Sequence, residues 1–275
     1  MNILICGGSG YIGSRLIPYL SQWHHVTNFD ITHGEDIRNT SLLRKFCQDK
    51  EVIIYLASMS NNDMCNRTPA LATSINQYAF PGVVEAAKGV DRFIYASSVA
   101  AYGDQDNATE DMPLKPTTRY GEGKKSCEDW LASSDLPHVI VRAASVCGWS
   151  PRMRYDLMVN RMTRDAVSKG IITVNGGNQI RSHIHINDIC RLYRLLLNAK
   201  DIEGQAFNAV SENMSVMNTA ERVSKVVGNT FIDVKPATDD RSYSVSGEKA
   251  LIKLGFRTLY TINEAIVENY LNFYQ

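Results

Sequence analysis

The residues with the clearest chemical use begin at the seventh position. Gly7-Gly8-Ser9-Gly10-Tyr11-Ile12-Gly13 follows an apolar run directly and opens an amphipathic stretch. It satisfies G-x-x-G-x-x-G through Gly7, Gly10 and Gly13, and G-x-G-x-x-G through Gly8, Gly10 and Gly13. Glycines at this spacing allow a tight turn, close approach of backbone to a pyrophosphate, and close packing of helix on strand. The helix that follows offers unpaired N–H groups and a partial positive charge to phosphate. Asp30 ends the next apolar run, 20 residues after Gly10. An acid there accepts hydrogen bonds from adenosine ribose hydroxyls and repels a 2′-phosphate. No Arg or Lys follows it until Arg38. The expected cofactor is therefore NAD rather than its phosphorylated form.

Tyr120 and Lys124 stand four apart, which places both on one face of a helix. A phenol titrates near ~10, so one acting as a base at neutral pH needs ~4 kcal/mol of electrostatic help. An ammonium and a cationic nicotinamide ring together can supply it. Such a phenol takes the proton of a substrate hydroxyl while hydride leaves the carbon. Ser98 closes a run with the character of a buried parallel strand. Open α/β sheets bind ligands at such C-terminal strand ends. Its hydroxyl is placed to meet the same substrate oxygen.

These groups need elements to hold them. Asn2–Cys6, Val26–Asp30, Val52–Ala57, Arg92–Ser97 and His138–Ala143 read as short buried strands. Tyr11–Gln22, Ile37–Asp49, Pro69–Lys88 and Arg119–Ser133 alternate with them as helices. This alternation predicts an α/β fold with a doubly wound, Rossmann-type parallel sheet. The later chain reads as a helix (Asp156–Ser168), a strand (Ile171–Val174) and helices Asn187–Asn198, Ser215–Val227 and Thr261–Tyr274. Thr261-Ile262-Asn263-Glu264 is a capping-box pattern. The expected division is a dinucleotide-binding domain over 1–145, its sheet completed by parts of 180–210. Residues 146–275 form a smaller, interleaved substrate-binding region.

The 275 residues, 44% hydrophobic, suffice for a full core. Lys+Arg and Asp+Glu number 29 each. Zero net charge gives no nucleic-acid or acidic-membrane footprint. The six cysteines form no C-x-x-C pair, and no apolar run approaches the ~20 residues of a membrane span. The opening residues lack a signal peptide's basic start. These features suggest a reduced, cytoplasmic protein. His183 and His185 alternate on one side of a strand without a third ligand at a telling spacing, so no metal is expected. Cys147 reads as a small buried hydrophobe.

Together these residues resemble the extended short-chain dehydrogenase/reductase family, the nucleotide-sugar epimerase/dehydratase group typified by UDP-galactose 4-epimerase. Gly7–Gly13, Asp30, Asp36-Ile37, Leu56-Ala57-Ser58, Asn76, Ser98 with Tyr102-Gly103, Tyr120 with Lys124, Arg142 and Arg181–Asp188 fall in family order. The resemblance implies a catalytic triad of Ser98, Tyr120 and Lys124, with Tyr11 and Ile12 in the cofactor loop. Asp36 and Ile37 would flank the adenine, while Leu56, Ala57, Ser58 and Asn76 line the cofactor. Arg181 and Arg241 would meet the substrate diphosphate, and Asn160 its nucleotide. Arg152 and Arg154 are further phosphate candidates, in a segment similar to dehydrogenases of GDP-linked heptoses. A homodimer through the helices carrying Asn76 and Tyr120 is also implied.

The implied activity is NAD-dependent oxidoreduction at C4 of a nucleoside-diphosphate sugar, as 4-epimerase or 4-dehydrogenase. Reduction of a 4-keto sugar with NAD(P)H is the alternative. A reading of another class is a nucleotide-sensing or RNA-associated protein on the same fold, whose relatives typically lose part of the triad. The chain departs from the family pattern in several places. The stretch from Asp30 to Asp36 is too short for the usual third strand. Val99 and Ala100 stand where 4,6-dehydratases carry Asp-Glu, and no cysteine serves 3,5-epimerisation near this turn. Ala143 and Ser145 replace the usual Pro and Asn after Arg142.

Overall fold

The computed structural model describes residues 1–228 and 230–273. The strands are β1 (Asn2–Cys6), β2 (His25–Phe29), β3 (Val52–Tyr55), β4 (Arg92–Ser98), β5 (His138–Ala143), β6 (Ser145–Cys147), β7 (Ile171–Asn175), β8 (Ile180–His185), β9 (Gln205–Ala209), β10 (Glu212–Ser215) and β11 (Phe231–Lys235). The helices are α1 (Gly13–Leu20), α2 (Thr40–Cys47), α3 (Asn62–Arg67), α4 (Pro69–Thr73), α5 (Phe80–Ala86), α6 (Arg119–Ala132), α7 (Met158–Lys169), α8 (Ile186–Leu196), α9 (Val216–Val227), α10 (Glu248–Leu254) and α11 (Ile262–Phe273). They make two compact units. The first holds Met1–Gly103, Met112–Arg142 and Cys190–Phe207. The second holds Asp104–Asp111, Ala143–Ile189 and the residues from Asn208 onward.

The Rossmann-type α/β fold expected from the alternation is present. A six-stranded sheet runs β2-β1-β3-β4-β5-β9, with β1 parallel to β2 and β3, and β3 parallel to β4. In this order β2 is an edge strand. The missing third strand is replaced by a 3₁₀ turn over Ile31–His33. The first unit's core gathers Leu4, Phe29, Ile53, Phe80, Phe93 and Leu131. Tyr55 packs with Phe80, Phe93 and Tyr95 at centroid separations of 5.5, 5.9 and 6.1 Å.

The stretch read as one helix over Pro69–Lys88 is three pieces: α4, a π-helical turn over Ser74–Tyr78, and α5. Pro81 in the first turn of α5 has no N–H for the ladder, and Ala79 N donates five residues back to Ser74 O at 3.0 Å. In the second unit, a core of Val159, Met162, Ile172, Val174, Val223 and Ile266 underlies a three-stranded sheet (β10-β8-β6) and a parallel pair (β11-β7). The capping box forms: Thr261 N donates to Glu264 Oε2 at 2.6 Å, and Glu264 N to Thr261 Oγ1 at 3.2 Å. Tyr274, the expected end of the last helix, lies outside the described residues.

Candidate active site

The glycine loop leaves β1 and enters α1. Gly7 adopts φ +84°, and a Cβ there would sit 2.7 Å from Ala57 N, so the loop and the end of β3 need a glycine between them. A Cβ on Gly13 would lie 2.5 Å from Gly8 Cα, which is how the helix packs so closely on its own entry turn. Gly10 is different. A Cβ there would meet only Gly7 O, at 3.2 Å, so this face of the loop is open to a ligand's approach. Asp30, buried beside it, accepts from Ser9 N at 2.9 Å and from Thr32 N and Oγ1, each at 2.9 Å. A glycine turn with an open face, a helix N-terminus and a neighbouring carboxylate fit a dinucleotide.

The other expected cofactor residues divide. Ala57 abuts the glycine loop, and Leu56 N donates to Cys6 O at 2.8 Å. Asn76 secures the loop after β3, where its Oδ1 accepts from Ser58 Oγ (3.1 Å) and Met59 N (2.8 Å). Its amide donates to Met59 O at 2.9 Å. The π-helical turn thus carries the residue that shapes this loop. Tyr11 and Ile37 are each only 7% exposed; Ile37 belongs to the core beneath the sheet end, which leaves it little face for an adenine. Asp36 is bound by Arg38 Nε at 3.0 Å through each oxygen. That hydrogen bonding, then charge, holds its carboxyl below the usual range.

Tyr120 and Lys124 lie on α6 one turn apart. Thr118 caps the helix, accepting from Gly121 N at 3.1 Å. A Cβ on Gly121 would be 2.5 Å from Ala100 O, so the first turn of α6 presses on the 3₁₀ turn that follows Ser98. Ser98 Oγ accepts from Ala100 N at 3.2 Å, which fixes the hydroxyl at the strand end. Lys124 is buried, and its Nζ donates to Ala96 O of β4 at 2.6 Å. The same ammonium lies 5.0 Å from the Tyr95 ring centroid and 5.5 Å from that of Tyr120. Among the described residues no carboxylate pairs with Lys124 and none hydrogen-bonds the half-buried Tyr120 hydroxyl. The expected triad residues thus stand at the end of β4 and on α6, with a buried cation beside the phenol.

Beneath it lies a network that the sequence reading did not single out. Glu128, one turn beyond Lys124, accepts from Arg142 Nη2 at 2.7 Å and from Arg142 Nε at 3.2 Å through each oxygen. Ser97 Oγ donates to Glu128 as well, and Arg142 Nη1 donates to Tyr102 Oη at 2.7 Å. Burial alone would lower the Arg142 pKa; the hydrogen bonds and charge of Glu128 outweigh it and raise it. The four-residue spacing Tyr120–Lys124–Glu128 was the available signal.

In the second unit Arg181 and Arg241 come together at Asp239. Arg241 Nη2 and Nε reach its oxygens at 2.6 and 2.8 Å, and Arg181 Nη2 at 3.3 Å. The bonds from Arg241 hold the Asp239 carboxyl below its usual range. Arg181 also lies 5.1 Å over the Tyr243 ring and donates to Arg241 O. Asn160 corrects an expectation. It is fully buried, its Oδ1 accepting from Gly148 N (3.2 Å) and Asn269 Nδ2 (2.9 Å), its Nδ2 donating to Arg154 O (3.2 Å). It ties α7 to α11 and has no surface for a nucleotide. Arg154 is engaged by Asp156 at 2.6 Å, whereas Arg152 is exposed.

His185 stacks on Tyr260 at 4.9 Å and accepts from Asn187 N at 3.0 Å, while His183 is fully buried with neither ring nitrogen hydrogen-bonded. No group of His, Cys, Asp and Glu among the described residues is arranged to hold a metal. All six cysteines are free, and burial pushes the Cys147 thiol far up. No described helix is long and apolar enough to cross a membrane.

The sequence model of the NAD dependent epimerase/dehydratase family matches residues 3–209. The low-salt glycan biosynthesis protein Agl12 of Haloferax volcanii is 26% identical, covering 98% of this chain and 99% of its own. The UDP-glucose 4-epimerase of Corynebacterium glutamicum is 25% identical, over 98% and 94%. Among solved structures, the UDP-glucuronic acid 4-epimerase of Bacillus cereus with UDP-glucuronic acid and NAD superposes with a TM-score of 0.90. It is 24% identical, over 99% of each chain.

Proposed function

Since the chain belongs to the NAD dependent epimerase/dehydratase family, we propose that it is a 4-epimerase of a nucleoside-diphosphate sugar. Its coarser character, an NAD-dependent enzyme of sugar nucleotides with the extended short-chain dehydrogenase fold, is the premise. The observation that carries oxidoreduction at C4, the step an epimerase shares with a dehydrogenase, is the half-buried Tyr120 phenol beside the buried Lys124 ammonium. Bound NAD supplies a reversible hydride acceptor at the sugar carbon. The loop of Gly7, Gly10 and Gly13 holds its pyrophosphate, and Asp30 its adenosine ribose.

Tyr120 takes the proton from the sugar's C4 hydroxyl oxygen and returns it when the hydroxyl is re-formed. Lys124 favours the phenolate by charge. Ser98 donates its hydroxyl hydrogen to the same sugar oxygen while its own oxygen stays pinned by Ala100 N. Arg181 and Arg241 bind the diphosphate, releasing Asp239. Dehydration is disfavoured, because Val99 and Ala100 place no acid or base after the strand. A homodimer through the π-helical turn that carries Asn76 and through α6 is part of the proposal, supported by exposed Tyr78 on the former and Trp130 on the latter.

The test is Tyr120→Phe, assayed on a panel of UDP-, GDP-, CDP- and dTDP-sugars. Turnover should be abolished with NAD still bound; retained turnover removes Tyr120 from the chemistry. A C4 epimer as product with no net change in reduced nicotinamide supports epimerisation. Net reduction or oxidation of added nicotinamide overturns it in favour of a dehydrogenase or a 4-keto reductase.

A further inference from the structure

The short turn after β2 does more than close a gap. Phe29 O accepts from Gly7 N on the β1 side, so the next amide, Asp30 N, points to the open edge of the sheet. A third strand would supply its acceptor; here there is none. Glu35 supplies it instead, with its Oε2 2.8 Å from Asp30 N. The Glu35 side chain is 17% exposed, turned in against the sheet edge rather than out to water. Its charge is felt at Cys6, where it adds to burial and the Cys47 charge in raising that thiol. Since Asp30 directly follows the C-terminal end of β2, its bond to Glu35 puts the carboxylate at the ligand-binding end of the sheet.

Arg38, three residues on from Glu35, is a cation of this turn, and Asp36 occupies it through both oxygens. His33 approaches Glu35 at 3.7 Å but is half exposed. We infer that Glu35 is a cofactor-specificity residue: in place of the missing strand it sets a second carboxylate behind Asp30, and this double negative charge excludes a 2′-phosphorylated dinucleotide. The inference rests on Asp30 as the ribose-side acid. Asp36 contributes by keeping the Arg38 guanidinium from serving as a phosphate clamp. A strand in the usual place would have satisfied Asp30 N with a neutral carbonyl and added no charge. The edge repair and the selectivity are one feature.

The experiment measures equilibrium binding of NAD and of NADP to the full chain, freed of co-purified nicotinamide, by calorimetry. Glu35→Gln keeps an acceptor for Asp30 N and removes the charge. It should raise the NADP-to-NAD affinity ratio about tenfold, equivalent to ~1.4 kcal/mol. A ratio within about twofold of the unaltered chain overturns the inference and leaves Glu35 as an edge cap. Should the glutamine variant not fold, Asp36→Asn tests the same electrostatic account at a partly exposed position. Release of Arg38 should then raise the ratio, and an unchanged ratio overturns the electrostatic account. Asp30→Asn keeps the two readings apart. If it leaves the ratio unchanged, Asp30 does not face the ribose, whatever Glu35 does.

Discussion

Replacing Arg142 with Met should destabilise the protein by about 3–5 kcal/mol, the usual cost of breaking a buried ion pair. The magnitude follows from what is left behind. The side chains of Glu128 and Arg142 are 5% and 8% exposed, so neither water nor salt screens the pair to any extent. In Arg142→Met the Glu128 carboxylate loses all three bonds from the guanidinium and keeps the Ser97 hydroxyl. Tyr102 Oη loses its donor too. For a chain of this size the expected fall in melting temperature is on the order of 10 °C. Glu128→Met with Arg142→Met removes both charges. It takes Glu128 from the Ser97 hydroxyl and Arg142 from the Tyr102 hydroxyl, a loss of roughly 1–3 kcal/mol each at most. The double variant should therefore be no less stable than Arg142→Met alone. Urea unfolding of the unaltered protein, the Arg142→Met and Glu128→Met single variants and the double variant, read by far-UV circular dichroism, gives the cycle. A single-variant cost below ~1 kcal/mol would mean that the pair is wet, and a double variant worse than the sum of the singles would mean that packing, not charge, holds it. Either result refutes the reasoning.

Two further outcomes follow from the geometry. Burial lowers the His183 pKa from 6.5 to about 4, so the folded protein keeps this ring neutral while the unfolded chain takes up a proton. Its contribution is complete above pH 6.5 and is lost as pH falls towards 4, by about 3 kcal/mol in all. Unfolding free energies across that window should slope upward with pH, and His183→Phe should flatten the slope; an equal slope in the variant would assign it to other groups. Gly13→Ala puts a methyl 2.5 Å from Gly8 Cα, backbone against backbone. It should abolish NAD binding and cost about 1–3 kcal/mol of stability, and NAD titration with wild-type affinity would show that the loop can move aside.

Much of the fold was legible in the chain because its signals are local. Consecutive apolar residues, such as Ile3–Cys6, specify strands buried on both faces, and a glycine turn between strand and helix specifies the phosphate loop. The capping box at Thr261 and Glu264 formed as read, since it needs only residues three apart. Tyr120 and Ser98 were nameable because each lies at a recognisable end of an element, and Lys124 because it stands one helical turn on from Tyr120. The helix over Pro69–Lys88 was misjudged because apolar periodicity continues through the π-helical turn. That turn is set by Pro81 and by a loop, at Ser58 and Met59, far away in sequence.

The sequence by itself determined which residue types were present at the right spacing: a glycine loop, an acid after β2, a phenol and an ammonium on one helical face. It also determined that the third strand had no room. Tertiary structure decided which polar groups have partners. Only long-range packing brings Arg142 to Glu128, gathers Arg181 and Arg241 on Asp239, and seals Asn160 against Asn269, where it has no surface for a ligand. Only the open edge of β2 turns Glu35 inward onto Asp30. The physical reason is the same in each case. Periodicity and turn chemistry are properties of neighbouring residues, whereas the partner of a buried charge is whatever distant chain the fold delivers to it.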